Sequence, residues 1–191
     1  MNNIANYQNE PFPDTNNLFN RIIKIGEALK LGLSDPQKNI LIKELFDIEK
    51  RGNRILYKLN AKVYDRSLVK IDGVNSNLIN TKGLYLLSKF EKSSFEPVYI
   101  GISRNIPERL KGHLFRTDKG TSTFAWKMVL EDKKRKEIQG SPAELIKQKQ
   151  HTYIKDLNLQ VCPLDNNYEL HMAEVFLAAY LKTYWNSFKT T

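Results

Sequence analysis

Only one of the 191 residues is a cysteine, so neither an internal disulfide nor a thiolate zinc site can be built within this chain. That residue, Cys162, lies in the strand-like run LQVCPL and reads as a small apolar side chain rather than a reactive thiol. Histidine is scarce as well: His113, His151 and His171 keep none of the usual zinc-ligand spacings. No apolar run approaches the roughly 18 residues of a membrane span. The opening MNNIANYQNEPFPD has neither the basic nor the apolar segment of a secretory leader. The expectation is a cytoplasmic protein with no membrane segment. Internal repeats and low-complexity linkers are missing too, which excludes a solenoid or a disordered chain.

What the chain does have is positive charge. Thirty Lys and Arg against 21 Asp and Glu give a formal +9, and such an excess favours polyanions through phosphate contacts and counterion release. The charge is uneven. Between Arg104 and Lys136 there are ten basic and four acidic residues, so 33 positions carry +6 of the total. A solvated face, with the KKRK run at 133–136, would account for the same numbers. The length suits one domain with a modest appendage.

After a polar arm around PFPD, Leu18, Ile22, Ile25 and Leu29 predict a helix over 15–31. A second helix is expected from SDP onwards, where Ser34 or Asp35 can cap and Leu41, Leu45, Ile48, Ile55 and Leu59 form one stripe. From about 68 the texture changes to short strand-like runs, SLVKIDG, GLYLLSKF and PVYIGIS. The latter two predict an antiparallel hairpin closed by a loop through EKSSFE rather than by a two-residue turn. Asn105 with Glu108 predicts a capped helix over 106–116, TFAWKMVLEDKK another, and Ser141 with Pro142 the start of a third. LQVCPL reads as a third strand and about 167–184 as a largely buried final helix.

Against this outline, VYIGISRNIPERLKGHL stands out. Arg109 and His113 are four apart on a helix and share a face, while Tyr85 and Tyr99 occupy two strands expected to pair. Glu174, an acid within a buried-looking helix, is costly there unless it holds a cation or a metal. Gly83-Leu84-Tyr85, Tyr99-Ile100-Gly101, Arg109, His113, Glu174 and Asn186, in that order, resemble the GIY-YIG nuclease superfamily over roughly 80–188. Histidine at 113 resembles its restriction-endonuclease-like branch, and Ile102 stands where some repair members have lysine.

The resemblance implies an α+β fold, a small three-stranded antiparallel sheet flanked by helices at 76–191, behind an N-terminal arm and helical segment at 1–75. It also implies a metal-dependent DNA endonuclease hydrolysing phosphodiester bonds. Glu174 would be the sole protein carboxylate on one Mg²⁺, with Mn²⁺ a possible substitute. Arg109 would hold a nonbridging oxygen, Tyr85 would orient or deprotonate the water, and Tyr99 would support it by a hydrogen bond. His113 would accept a proton from Tyr85 or position it, and Asn186 would orient Glu174 or contact phosphate. DNA is then the partner, and cutting both strands calls for a homodimer or two successive events. The alternatives are a structure-specific repair nuclease, a non-catalytic nucleic-acid-binding module on the same scaffold, and a helical interaction protein.

Overall fold

The computed structural model describes residues 10–35, 37–69, 71, 81–134 and 139–186. Helix α1 (Thr15–Leu33) starts where the Asp14 carboxylate accepts from the Asn17 amide, and it buries Leu18, Ile22, Ile25, Leu29 and Leu33 along one stripe. The helix expected next does not form. In its place come a two-residue strand β1 (Ile40–Leu41), a 3₁₀ turn (Ile42–Leu45) and a hairpin of β2 (Phe46–Arg51) and β3 (Arg54–Leu59). The apolar stripe proposed across 41–59 is split by the turn at Gly52-Asn53. Ile48 and Ile55 consequently face solvent rather than a helix partner. A short helix α2 (Ala61–Arg66) follows, capped by Asn60. The strand expected at SLVKIDG appears as a single bridge between Leu68 and Val161, and Lys70, Asp72 and Gly73 lie outside the described residues, as does the second half of KKRK.

The main sheet is α+β in setting and antiparallel throughout, in the order β1-β6-β4-β5, with β4 (Gly83–Glu91), β5 (Ser94–Ser103) and β6 (Asn158–Pro163). It has four strands rather than the expected three, because β1 adds to the edge of β6 through Ile40 and Leu41, and the β2–β3 hairpin is a separate two-stranded sheet. The β4–β5 connection also differs from expectation. It is a two-residue turn, Lys92-Ser93, with both residues at positive φ, so the strands run through most of EKSSFE.

Alternation along the strands makes two cores. Tyr85, Leu87, Tyr99, Leu159 and Val161 face α3 (Ile106–Phe115), α4 (Thr123–Lys134) and α5 (Pro142–Thr152). Leu84, Leu86, Ile100 and Cys162 face α1 and α6 (Asn167–Tyr180). Two of the three N-terminal cap expectations are met, the one at Ser34-Asp35 failing with its helix: Asn105 accepts from the Glu108 amide, and Ser141 with Glu144 forms a reciprocal capping box. Cys162 is buried in β6, which pushes its thiol up to about 12. No helix among the described residues is long and apolar enough to cross a membrane.

Candidate active site

The first-core face of β4 and β5 carries the two tyrosines because they occupy register positions of equal parity. Tyr85 lies opposite Gly101, and Tyr99 opposite Leu87. The Tyr85 ring crosses directly over Gly101: a Cβ there would sit 2.5 Å from the phenol oxygen and 2.6 Å from Cζ. Glycine at 101 is therefore what lets Tyr85 lie flat across the neighbouring strand. At Gly83 a Cβ would collide with the Cys162 carbonyl, so the first glycine of the motif allows β4 and β6 to close.

Helix α3 then supplies the polar groups. His113 Nε2 lies 2.7 Å from the Tyr85 hydroxyl, both groups being fully buried. Burial, helped by the Arg109 charge, drives the His113 pKa down to about 3, so the ring is neutral at any physiological pH. Its Nδ1 has no partner among the described residues. A bare lone pair there is cheaper than an orphaned N–H, which places the ring proton on Nε2, donating to the Tyr85 oxygen. In that tautomer His113 orients Tyr85 and has no vacant nitrogen facing it.

Arg109, one turn earlier, is clamped by the loop entering α4. One guanidinium nitrogen donates to the Thr121 carbonyl (3.1 Å) and another to Thr123 Oγ1 (2.5 Å). Its charge acts on the hydroxyls of both Tyr85 and Tyr99. Even so, burial keeps Tyr85 well above the usual phenol range, and it raises Tyr99 too. Tyr99 is the outer of the pair: its ring stacks on Phe124 at 4.5 Å, the Lys127 ammonium sits 5.7 Å above it, and Glu174 acts on its hydroxyl.

Glu174 reaches this cluster from α6. Burial raises its carboxyl pKa, opposed by His171, Lys127 and Arg109. Asn186 is spent differently. Its Oδ1 accepts from the Ile100 amide (2.8 Å) and its Nδ2 donates to the Ile100 carbonyl (2.7 Å), fastening the segment after α6 to the free edge of β5. Trp185 adds a bond from its amide to the Val98 carbonyl. The structure thus brings Tyr85, Tyr99, Arg109 and His113 into one cluster with Glu174 at its margin, while Asn186 acts on the backbone of the second tyrosine's strand.

Sequence reasoning missed three contributors. Lys127, Phe124 and the Thr121/Thr123 pair all flank or belong to the first turns of α4, and the only signal was a lysine and an aromatic amid an otherwise apolar helix face. It also overlooked Glu169, the more deeply buried acid of α6, which pairs with Arg21 of α1 at 2.7 Å and is a packing ion pair between helices.

One cleft opens beside the cluster at Arg109, and a second adjoins it without a cluster residue in its lining. The first, of 370 Å³, is lined by Ser103, Arg104, Asn105, Glu108, Arg109 and Arg116. The other, of 260 Å³, shares Ser103 and Arg104 and runs on to Asn167 and His171. Three arginines therefore border the first opening. The larger 910 Å³ cavity between Lys30, Phe95, Tyr180 and Lys182 contains none of the cluster residues. No group of three or more His, Cys, Asp and Glu that could hold a metal occurs among the described residues. The hard oxygen donor of Glu174 suits Mg²⁺, which keeps several waters and takes its other ligands from a bound phosphate.

Comparisons with known protein families, with curated proteins and with solved structures return no match for this chain.

Proposed function

We propose that the chain is a metal-dependent DNA endonuclease of the GIY-YIG kind. The observation that carries this reading is the convergence of Arg109, Tyr99, Tyr85 and His113 on one sheet face, with Glu174 alongside and a cleft bordered by Arg104, Arg109 and Arg116 opening beside it. Six positions spread from 85 to 186 resemble that superfamily in order, and five of them come together.

In this mechanism the arginine-lined cleft receives the phosphodiester. Arg109, pre-set by Thr121 and Thr123, offers its remaining N–H donors to a nonbridging oxygen, whose charge grows as the pentacoordinate transition state forms. Glu174 would hold one Mg²⁺, which supplies Lewis-acid polarisation of the phosphate and stabilises the leaving oxygen. Lys127, 5.7 Å from the Tyr99 ring, opposes the burial that raises the Glu174 carboxyl and adds positive charge beside the cluster. The neutral Tyr99 hydroxyl, the more accessible of the two, orients the attacking water. Tyr85 and His113 fix the position of Tyr99 from beneath as an uncharged pair. One such site cuts one strand, so a restriction-type role requires two copies or two successive events.

A second reading, a nucleic-acid-binding module without catalysis, is favoured by one observation. Tyr85 and His113 are fully buried and neither is poised to act as a base near neutral pH. Incubation of the purified protein with supercoiled and linear DNA, with Mg²⁺ or with chelator, separates the two. The nuclease reading predicts metal-dependent nicking, lost in Glu174→Ala and in Arg109→Ala. DNA binding with no cleavage of either substrate identifies the module instead.

A further inference from the structure

The β2–β3 hairpin belongs to neither core beyond its root. There Phe46 is buried, Phe46 meets Phe115 edge to face (5.8 Å), and Tyr57 stacks on Phe115 at 3.8 Å. The register places Phe46, Ile48 and Lys50 on the same face as Leu59, Tyr57 and Ile55. Beyond the root that face leaves Ile48 65% and Ile55 55% exposed. Two isolated strands with an uncovered apolar face are marginally stable in water, so the outer half is built to be covered.

Charge identifies the cover. Lys50, Arg51 and Arg54 surround the outer half, where the acid Glu49 is matched by Arg51 in a forked pair, while nearer the root Lys58 lies across the ladder from Asp47. The root rests on Phe115, the residue before Arg116, which borders the cleft with Arg104 and Arg109. Six residues per strand reach about 20 Å from the body. A two-stranded ribbon also fits the major groove, whose thymine methyls and phosphate walls match an isoleucine face with a basic rim.

We propose that the β2–β3 ribbon lies in the major groove of duplex DNA and holds the duplex against the arginine-lined cleft. Ile48 and Ile55 contact base edges, and Lys50 and Arg54 contact the backbone. This rests on duplex DNA being the substrate. It makes the ribbon, rather than the catalytic cluster, the source of sequence preference.

The test is fluorescence anisotropy of labelled duplexes with the full chain in chelator, over a salt series, together with selection from a randomised duplex pool. Lys50→Ala/Arg54→Ala should lower the slope of log Kd against log salt by about 1.8, two phosphate contacts being lost. Ile48→Ser/Ile55→Ser should keep the slope and lose the wild-type preference at one or two positions. Circular dichroism and thermal melting confirm that these surface variants remain folded. Wild-type slope and preference in both variants overturn the proposal while leaving the nuclease reading standing, whereas a wild type that binds no duplex at low salt defeats that reading first. A concentration-dependent dimer in sedimentation, dissolved by Ile48→Ser/Ile55→Ser with DNA affinity unchanged, makes the face a self-association surface and also overturns the proposal.

Discussion

Replacing His113 by glutamine should remove most of a specific acid sensitivity. In the folded protein the ring stays neutral down to about pH 3, whereas in the unfolded chain it takes up a proton below its ordinary value of 6.5. The unfolded state therefore binds more protons across that window, and stability is lost as pH falls through 6.5 towards 3. Between pH 7 and pH 5 the ring's contribution falls by about 2 kcal/mol, the limit being 1.36 kcal/mol per pH unit. For a domain of this size that corresponds to roughly 4–8 °C in Tm. Glu169 and Glu174, whose carboxyls burial raises, gain stability as pH falls and so work in the opposite direction. Subtracting the glutamine variant's pH dependence from that of the wild type isolates the histidine. The assay is thermal unfolding of both proteins at pH 7 and pH 5, with an NMR titration of the His113 ring. Equal pH dependence in the two proteins, or a ring titrating near 6.5 in the folded state, refutes the reasoning.

Substitutions at three other places read different parts of the scaffold. Gly101→Ala drives a methyl into the Tyr85 ring and should cost about 1–3 kcal/mol of stability. Its cleavage of DNA should drop further than its melting temperature accounts for, because Tyr85 is displaced. Lys92-Ser93→Asn-Gly places residues that favour positive φ where φ is +50° and +66°. Thermal melts should show a gain of about 1 kcal/mol with cleavage unchanged. Asn186→Ala breaks both bonds to Ile100 and should cost about 1–3 kcal/mol by denaturant titration, with Asn186→Asp, which keeps only the acceptor, falling between.

The parts legible in the sequence were those with local chemical causes. Asn105 with Glu108, and Ser141 with Pro142 and Glu144, mark helix starts because their side chains serve amides three residues away. The segment 34–60 misled because Leu41, Leu45, Ile48, Ile55 and Leu59 fit a helical stripe, while the Gly52-Asn53 turn that breaks it sits among charged residues. Lys92-Ser93 gave no sign of a tight turn, since neither residue is a usual positive-φ former. The order of the candidate site residues could be read from sequence, but not their depth. That Tyr85 and His113 are fully enclosed, and that Tyr99 lies between Phe124 and Lys127, depends on α4 closing over the sheet.

The central claim, that this cluster hydrolyses phosphodiesters, is tested most directly by single-turnover cleavage of a bound DNA duplex in Mg²⁺, comparing wild type with Glu174→Ala and Arg109→Ala at saturating protein. The account predicts cleavage by the wild type, a fall of about 10²–10³-fold in Arg109→Ala and a loss at least as large in Glu174→Ala, with DNA still bound by both. Cleavage at the wild-type rate in Glu174→Ala, or none by a wild type that binds the duplex, contradicts it.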